Sequence, residues 1–234
     1  MDKRFERSLP LYKEEGLEKL QRSKIIIFGI GGVGGHIAEA LARSGVGELT
    51  LVDCDTVELT NVNRQIVALT STLGKNKVDV MKERILDINP SANVIAINKF
   101  YLPENENEFD LSQYDYVIDA VDTMSAKISL VCKATELNVP IISAMGAGNK
   151  CDITKLMVSD IYKTSVDPLA KILRHELRKR GIKKLKVVYS TELPTSSDLE
   201  SERKRATPSS NSYLPGAMGL LIASEVIKDL LNRN

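Results

Sequence analysis

At 234 residues, with 43% hydrophobic and 27% charged side chains, the chain has room for one large domain with a full core and the composition of an ordinary soluble globular protein. Its three cysteines, Cys54, Cys132 and Cys151, form no CxxC pair, which argues against a disulfide framework or a paired-cysteine zinc site. The formal net charge of +1 identifies no partner by itself, because opposite patches can cancel, and the default expectation is a reduced cytoplasmic protein.

In chain order, the opening MDKRFERSLP is too charged for a secretory leader, which needs an apolar stretch. Lys24–Phe28 (KIIIF) is almost purely apolar and runs into glycines, as a strand buried on both faces does. Ile37, Ala38 and Leu41 then share one side of a helix that stops near Gly45, and Glu48–Val52 is a second strand. Val78, Met81, Ile85 and Ile88 recur at helical spacing and stop before Pro90. Asn93–Ile97 and Tyr116–Ala120 read as a third and fourth strand, and helical Met124–Leu137 leads into a fifth, Pro140–Ser143. Strands alternating with helices imply an α/β fold, a Rossmann-like, doubly wound and mostly parallel sheet over residues 20–145.

Residues 146–234 read as a smaller extension of strands and helices within the same single domain, 1–234. Lys155–Val158 and Lys186–Tyr189 have strand character. Between them a helix is punctuated by Asp167 at the N-cap, Pro168 at the first helical position and Gly181 at the end. Pro194–Ser212 is polar, with two prolines and six serines, and reads as a mobile loop, either a lid or plain disorder. Ala217–Leu231 is a closing helix with Leu220, Ile227 and Leu231 available for packing. Its apolar stretch is interrupted by Glu225 and is too short for a membrane span.

Gly29-Ile30-Gly31-Gly32-Val33-Gly34 follows a strand and opens a helix, so GxGxxG stands in the context that lets a phosphate approach backbone N–H groups. Asp53 ends the next strand, where an acid can hold ribose hydroxyls. The bland alternative is glycines for tight packing. On this evidence alone NAD is the favoured ligand, with NADP disfavoured by the carboxylate, although nothing yet separates NAD from ATP. The following segment, Asp53 to Gln65 and then Gly74-Lys75-Asn76-Lys77, supplies an Asn/Arg/Lys set that suits a triphosphate losing pyrophosphate. Asp122 follows the fourth strand, at the sheet edge where ligands bind, and could hold Mg2+; Asp119 reads as structural. Taken singly, Arg64 and Lys77 would be solvated surface charges, and it is their combination with the glycines and strand-end acids that points to a site.

GIGGVG, then LVDCDTVELTNVNRQ, GKNK and DAVD together resemble the adenylating enzymes of the ubiquitin-activating-enzyme-like (ThiF/MoeB/HesA) superfamily, over roughly Arg4 to Ser143. The resemblance implies ATP and Mg2+, a homodimer, and adenylation of a carboxylate. It places nucleotide against Gly29, Gly31, Gly32, Gly34, Asp53, Asp55, Asn61, Arg64, Gln65, Lys77 and Asp122. Within that set Asp53 takes the ribose, Asn61, Arg64 and Lys77 the phosphates, and Asp122 the metal. Arg7 matches an arginine that reaches the partner subunit's nucleotide. Further on, Gly146-Ala147-Gly148, Val158 to Ala170, Leu173-Arg174 and Val187 to Glu192 are similar to the tRNA threonylcarbamoyladenosine dehydratase branch. That branch uses ATP to cyclise the threonylcarbamoyl side chain on the adenosine beside the anticodon. It also brings in a possible monovalent cation and possible sulfur-relay partners. The chain is somewhat short for the branch, in the Pro194–Ser212 region, and lacks the paired CxxC zinc ligands of the sulfur-carrier activators.

Chemistry points the same way. Carrier-protein activators commonly pass the acyl group to a cysteine, and none here has a partner base; Cys54 lies between two acids, which disfavours a thiolate. Cyclisation needs no external nucleophile, since a ureido nitrogen of the same side chain can attack with an effective molarity on the order of 10⁵ M or more. His36 and His175 read as ordinary helix residues. Arg174, Arg178, Lys179, Arg180, Lys183, Lys184 and Lys186 fall within thirteen residues with one acid, Glu176. On the Asp167–Arg180 helix Leu169, Ile172, Leu173 and Leu177 are expected in the core and Lys171, Arg174 and Arg178 on another face; Arg174 and Arg178, with Lys183 and Lys184 beyond the helix, are expected against RNA phosphates. Two rivals remain: an activator of a ubiquitin-like sulfur carrier, and a nucleotide-sensing scaffold without turnover.

Overall fold

The computed structural model describes residues 2–194 and 208–232. Seven strands form one sheet: β1 (Lys24–Phe28), β2 (Glu48–Val52), β3 (Asn93–Ile97), β4 (Tyr116–Asp119), β5 (Ile141–Ala144), β6 (Leu156–Asp160) and β7 (Lys186–Ser190). Their spatial order is β3-β2-β1-β4-β5-β7-β6, and all neighbours run parallel except β6 on β7. The order reverses between β1 and β4, where Phe28 stands opposite Asp119, so a crevice opens at the carboxyl ends of these two strands.

The helices are α1 (Leu9–Arg22), α2 (Gly34–Arg43), α3 (Lys77–Ile88), α4 (Met124–Glu136), α5 (Pro168–Lys179) and α6 (Leu214–Leu230). Alternation along β1 divides the core. Ile25 and Ile27 join the apolar cluster under α1, α2, α3 and α6, while Ile26 and Phe28 join the one under α4. A third cluster, with Leu173 and Leu177 of α5 and Val187 of β7, continues the α4 side. Tyr116 of β4 donates its hydroxyl proton to Asp229 of α6 at 2.6 Å, and Lys186 of β7 donates to the same carboxylate at 2.7 Å, so the last helix is tied to both halves of the sheet.

The five expected core strands lie within one residue of their expected bounds, and the closing helix begins three residues earlier, with Pro215 in its first turn. One helix was not anticipated: α1 carries Pro10 and Gly16, buries only Leu17 and Leu20, and is interrupted at Lys13 by a φ of +62°. The expectation for Ile172 is corrected. It is 54% exposed, and Ala170, one turn before Leu173, fills the core position on the inner face. Most of the Pro194–Ser212 loop lies outside the described residues.

Candidate functional site

The backbone leaves β1 through Gly29, whose φ of +89° is one that side chains rarely adopt. A Cβ on Gly34 would stand 1.7 Å from the Gly29 carbonyl oxygen. Gly34 is thus required by the fit of α2 onto its own loop and lies beneath the cavity, whereas Gly29, Gly31 and Gly32 line it. The cavity measures about 430 Å³ and opens at the carboxyl ends of β1, β2, β4 and β5, within the usual range for small-molecule sites.

Asp53 closes β2 and ties it to the glycine loop. Its Oδ2 accepts the Ile30 N–H at 2.6 Å and its Oδ1 the Asp55 N–H at 2.8 Å. Two residues on, Asp55 accepts from Lys77 Nζ at 2.7 Å. The pairing of Thr56 with Asn76, and the Val57 N–H donated to the Lys75 carbonyl at 2.8 Å, bring the start of α3 to this edge. Asn61 is buried, its Oδ1 accepting the Glu58 N–H at 3.1 Å; the turn it stabilises carries Arg64, whose Nη1 donates to the Thr60 carbonyl at 2.9 Å and Asn63 Oδ1 at 2.8 Å. A guanidinium held by its own turn loses little freedom on meeting an anion. Gln65 is also buried, and its Oε1 finds no partner among the described residues. Such an orphaned polar atom on a cavity wall is an acceptor that a ligand can satisfy.

On the β4 side, Asp119 and Lys127 form a fully buried ion pair with Nζ–O distances of 2.9 and 3.0 Å, which confirms Asp119 as structural. Asp119 Oδ1 also accepts the Val121 N–H at 3.2 Å and so shapes the turn that exposes Asp122 to the cavity. Gly29, Gly31, Gly32, Asp53, Asp55, Asn61, Arg64, Gln65, Lys77 and Asp122 therefore share one cavity. Arg7 does not; it is exposed on a short 3-10 turn, Lys3–Ser8, outside this cavity.

One wall escapes the sequence reading, and the other is marked only by family likeness at Gly146-Ala147-Gly148 and as part of a loop, lid or plain disorder. Lys99, Phe100 and Tyr101 follow β3 and close the cavity beside Asp53, with Tyr101 buried, hydrogen-bonded to Ser129 at 2.9 Å and its hydroxyl pKa pushed up to about 12 by burial. Opposite them, Ala147 and Gly148 after β5 stand against Pro208 and Ser210, and Asn63 Nδ2 donates to the Ser210 carbonyl at 3.1 Å. Sequence spacing carried no signal for either wall.

Burial, then the charges of Asp55 and Asp53, raise the Cys54 thiol pKa, and burial raises that of Cys132. Burial lowers the pKa of His36, which lies within α2. Outside the cavity, Arg178 lies over the Tyr162 ring at 5.4 Å, and Lys183 and Lys184 are exposed. Arg174 is turned inward instead, donating to the Thr164 carbonyl at 2.6 Å and to its hydroxyl at 2.5 Å.

The ThiF family model matches residues 5–234. The chain is 46% identical to the tRNA threonylcarbamoyladenosine dehydratase of Bacillus subtilis (strain 168), over 97% of this chain and 94% of that protein. The crystal structure of the E. coli tRNA N6-threonylcarbamoyladenosine dehydratase, TcdA, in complex with ATP superposes with a TM-score of 0.91 at 35% identity, covering 98% of this chain and 94% of that one. The molybdopterin-synthase adenylyltransferase of Haemophilus influenzae is 37% identical, but over only 55% of this chain and 53% of that protein.

Proposed function

The chain belongs to the ThiF family, and on that premise we propose that it is an ATP-dependent tRNA threonylcarbamoyladenosine dehydratase. The observation that carries this reading is likeness along the whole chain: a dehydratase matches 97% of it, a sulfur-carrier activator 55%.

The chemistry begins with a carboxylate, a poor acyl donor. Its oxygen attacks the α-phosphorus of ATP, an acyl–phosphate bond forms, the α–β P–O bond breaks and pyrophosphate leaves. A ureido nitrogen of the same side chain then attacks the acyl carbon, AMP departs, and a proton passes to solvent. Asp53, held at the rim by the Ile30 and Asp55 amides, offers its remaining lone pairs to ribose hydroxyls. The N–H groups at the start of α2 face the phosphates. Arg64 and Lys77 neutralise charge as pyrophosphate separates. Asp122 is exposed at the cavity mouth, bonded only weakly by Thr123 Oγ1 at 3.4 Å, and so suits a Mg2+ ion, which takes one or two carboxylates together with substrate phosphates. When bound, Mg2+ offsets negative charge on the phosphate oxygens. Neither Cys54 nor Cys132 is poised as a thiolate, in keeping with a ring closure that needs no acyl–cysteine step.

Arg178, Lys183 and Lys184 form the surface for tRNA phosphates. Arg7 is exposed and lies outside its own cavity, as a residue serving a second copy's nucleotide would. We infer a cytoplasmic enzyme from a tRNA substrate, and no described helix is long and apolar enough to cross a membrane. No described residue is assigned to a monovalent cation, and no step uses one. The deciding assay combines the protein with ATP, Mg2+ and tRNA bearing threonylcarbamoyladenosine, and weighs the modified nucleoside. Loss of one water is expected. An unchanged nucleoside, with pyrophosphate exchange only when a ubiquitin-like carrier is added, would transfer the protein to the sulfur-carrier activators.

A further inference from the structure

Along the carboxyl edge of the sheet the site is laid out in strand order. Asp53 ends β2, the glycine loop ends β1, Asp122 follows β4, and Ala147 and Gly148 follow β5. Neighbouring strands are about 4.8 Å apart, so the β5 end stands roughly 14 Å from the β2 end. A nucleotide with its ribose at Asp53 and its α-phosphate over the glycine loop leaves the β5 end to the carboxylate that attacks it.

That end is held by a charge pair the adenylation chemistry does not use. Lys150 Nζ lies 2.7 Å from Asp167 Oδ2 and donates to the Gly146 carbonyl at 2.8 Å, with the two side chains 1% and 0% exposed. Each partner directly follows a residue in the left-handed region, Asn149 at φ +59° and Val166 at φ +49°. For β-branched Val166 this conformation is strained, and it persists only where surrounding contacts impose it. Three pieces of chain meet at the pair. Lys150 closes the 146–150 turn against β5. Asp167 Oδ1 caps α5 by accepting the Ala170 N–H at 2.9 Å. The returning segment is bound on the other side: the Asn149 N–H donates to the Ser209 carbonyl at 2.8 Å, the Ser209 N–H to Asn149 Oδ1 at 2.7 Å, and Asn211 Nδ2 to the Lys150 carbonyl at 2.9 Å.

We propose that Lys150 and Asp167 are a positioning pair for the acyl substrate. They join the cavity wall at Ala147 and Gly148 to the start of the basic helix, and they touch neither the nucleotide nor the reacting atoms. A buried pair is a demanding way to hold a turn, because each charge needs the other. What it supplies here is one rigid body that reaches from the tRNA-facing helix to the side of the cavity where the carboxylate must arrive. The proposal rests on the adenylation reading for the identity of that substrate, and on the geometry alone for the hold on the wall.

The test uses the double substitution Lys150→Met/Asp167→Asn. Losing one partner alone strands a buried charge and can unfold the chain, whereas the carboxamide still caps α5 and methionine fills the lysine stem's volume. Affinity for ATP with Mg2+ is expected to stay at the wild-type value, while kcat for tRNA dehydration falls roughly 10²-fold, as for a misplacement of about 1 Å. Amide exchange in residues 146–150 should quicken while that of residues 29–34 stays unchanged. Wild-type turnover in the double variant, or an equal loss of ATP affinity, would overturn the proposal, and so would unaltered exchange in 146–150. If the wild-type protein fails to dehydrate tRNA but the exchange difference is present, the dehydratase reading falls and the hold on the wall stands.

Discussion

The ammonium of Lys77 sits 2.7 Å from Asp55 Oδ2, with the lysine side chain 6% exposed and the carboxylate 61% exposed. The lopsided burial separates catalysis from folding. Removing the lysine frees a carboxylate that water already reaches, so Lys77→Ala should cost little stability while turnover falls about 10²–10³-fold, the usual loss for one donor to developing charge. Arg64→Ala should do likewise, since among the described residues that guanidinium leans only on its own turn. Single-turnover rates set against thermal melts check both; near-normal turnover in either variant would place the phosphates elsewhere.

Titration calorimetry should show binding of ATP with Mg2+ and none of NAD, because Arg64 and Lys77 flank the cavity where a leaving pyrophosphate would lie. Asp122→Ala should raise the Mg2+ concentration needed for half-maximal activity or abolish activity. Tight NAD binding with no response to ATP would sink the adenylation scheme.

The raised pKa of Cys54 gives a pH prediction with a definite sign. Burial and two neighbouring carboxylates favour the neutral thiol, so the thiolate accumulates only at higher pH than in a free cysteine. Alkylation by iodoacetamide at pH 8 should therefore be slower at Cys54 than in a denatured control, and the two should converge as pH rises. Cys54→Ala should retain turnover; its loss would reopen an acyl–cysteine route.

Contact with tRNA should depend steeply on salt. Replacing Arg178, Lys183 and Lys184 with serine should weaken tRNA binding, flatten the log–log salt slope by about 0.7–0.9 per lost contact, and leave ATP binding alone. Arg174→Ala should instead lower the melting temperature, because its guanidinium serves Thr164. Unchanged tRNA affinity in the triple variant at every salt concentration would move the docking face.

Lys127→Met leaves Asp119 charged in a dry interior and should cost about 3–5 kcal/mol in urea denaturation, whereas changing both partners to apolar residues should restore most of it. Equal losses in the single and double variants would mean that packing around Lys127 matters more than its charge.

The strands of the nucleotide-binding half were legible because each is a short apolar run between turn residues, and the glycines and Asp53 announced the cavity through spacing alone. Asp119 could also be set apart from Asp122 by its place inside the strand. What stayed hidden depends on tertiary contact. Lys150 and Asp167 are seventeen residues apart, and neither spacing nor composition says that they meet. Pro208 and Ser210 line the cavity from a stretch whose composition reads equally as a lid or as plain disorder. Ile172 looked like core by residue type, yet α5 needs only the narrow stripe of Ala170, Leu173 and Leu177. The helix α1 was obscured by its own interruptions at Pro10, Lys13 and Gly16.

The wall formed by Pro208, Ser210 and Pro215 has a consequence for the chain as it is made. The cavity-lining residues from Gly29 to Asp122 leave the ribosome before that wall exists. At about 5–20 residues per second the interval from Asp122 to Pro215 lasts several seconds. During it the nascent protein holds the charged half of a nucleotide cavity without the far side, so ATP cannot yet be enclosed. The cavity is completed only late in synthesis, once Pro208, Ser210 and the first turn of α6 with Pro215 have emerged and α6 has packed on α2.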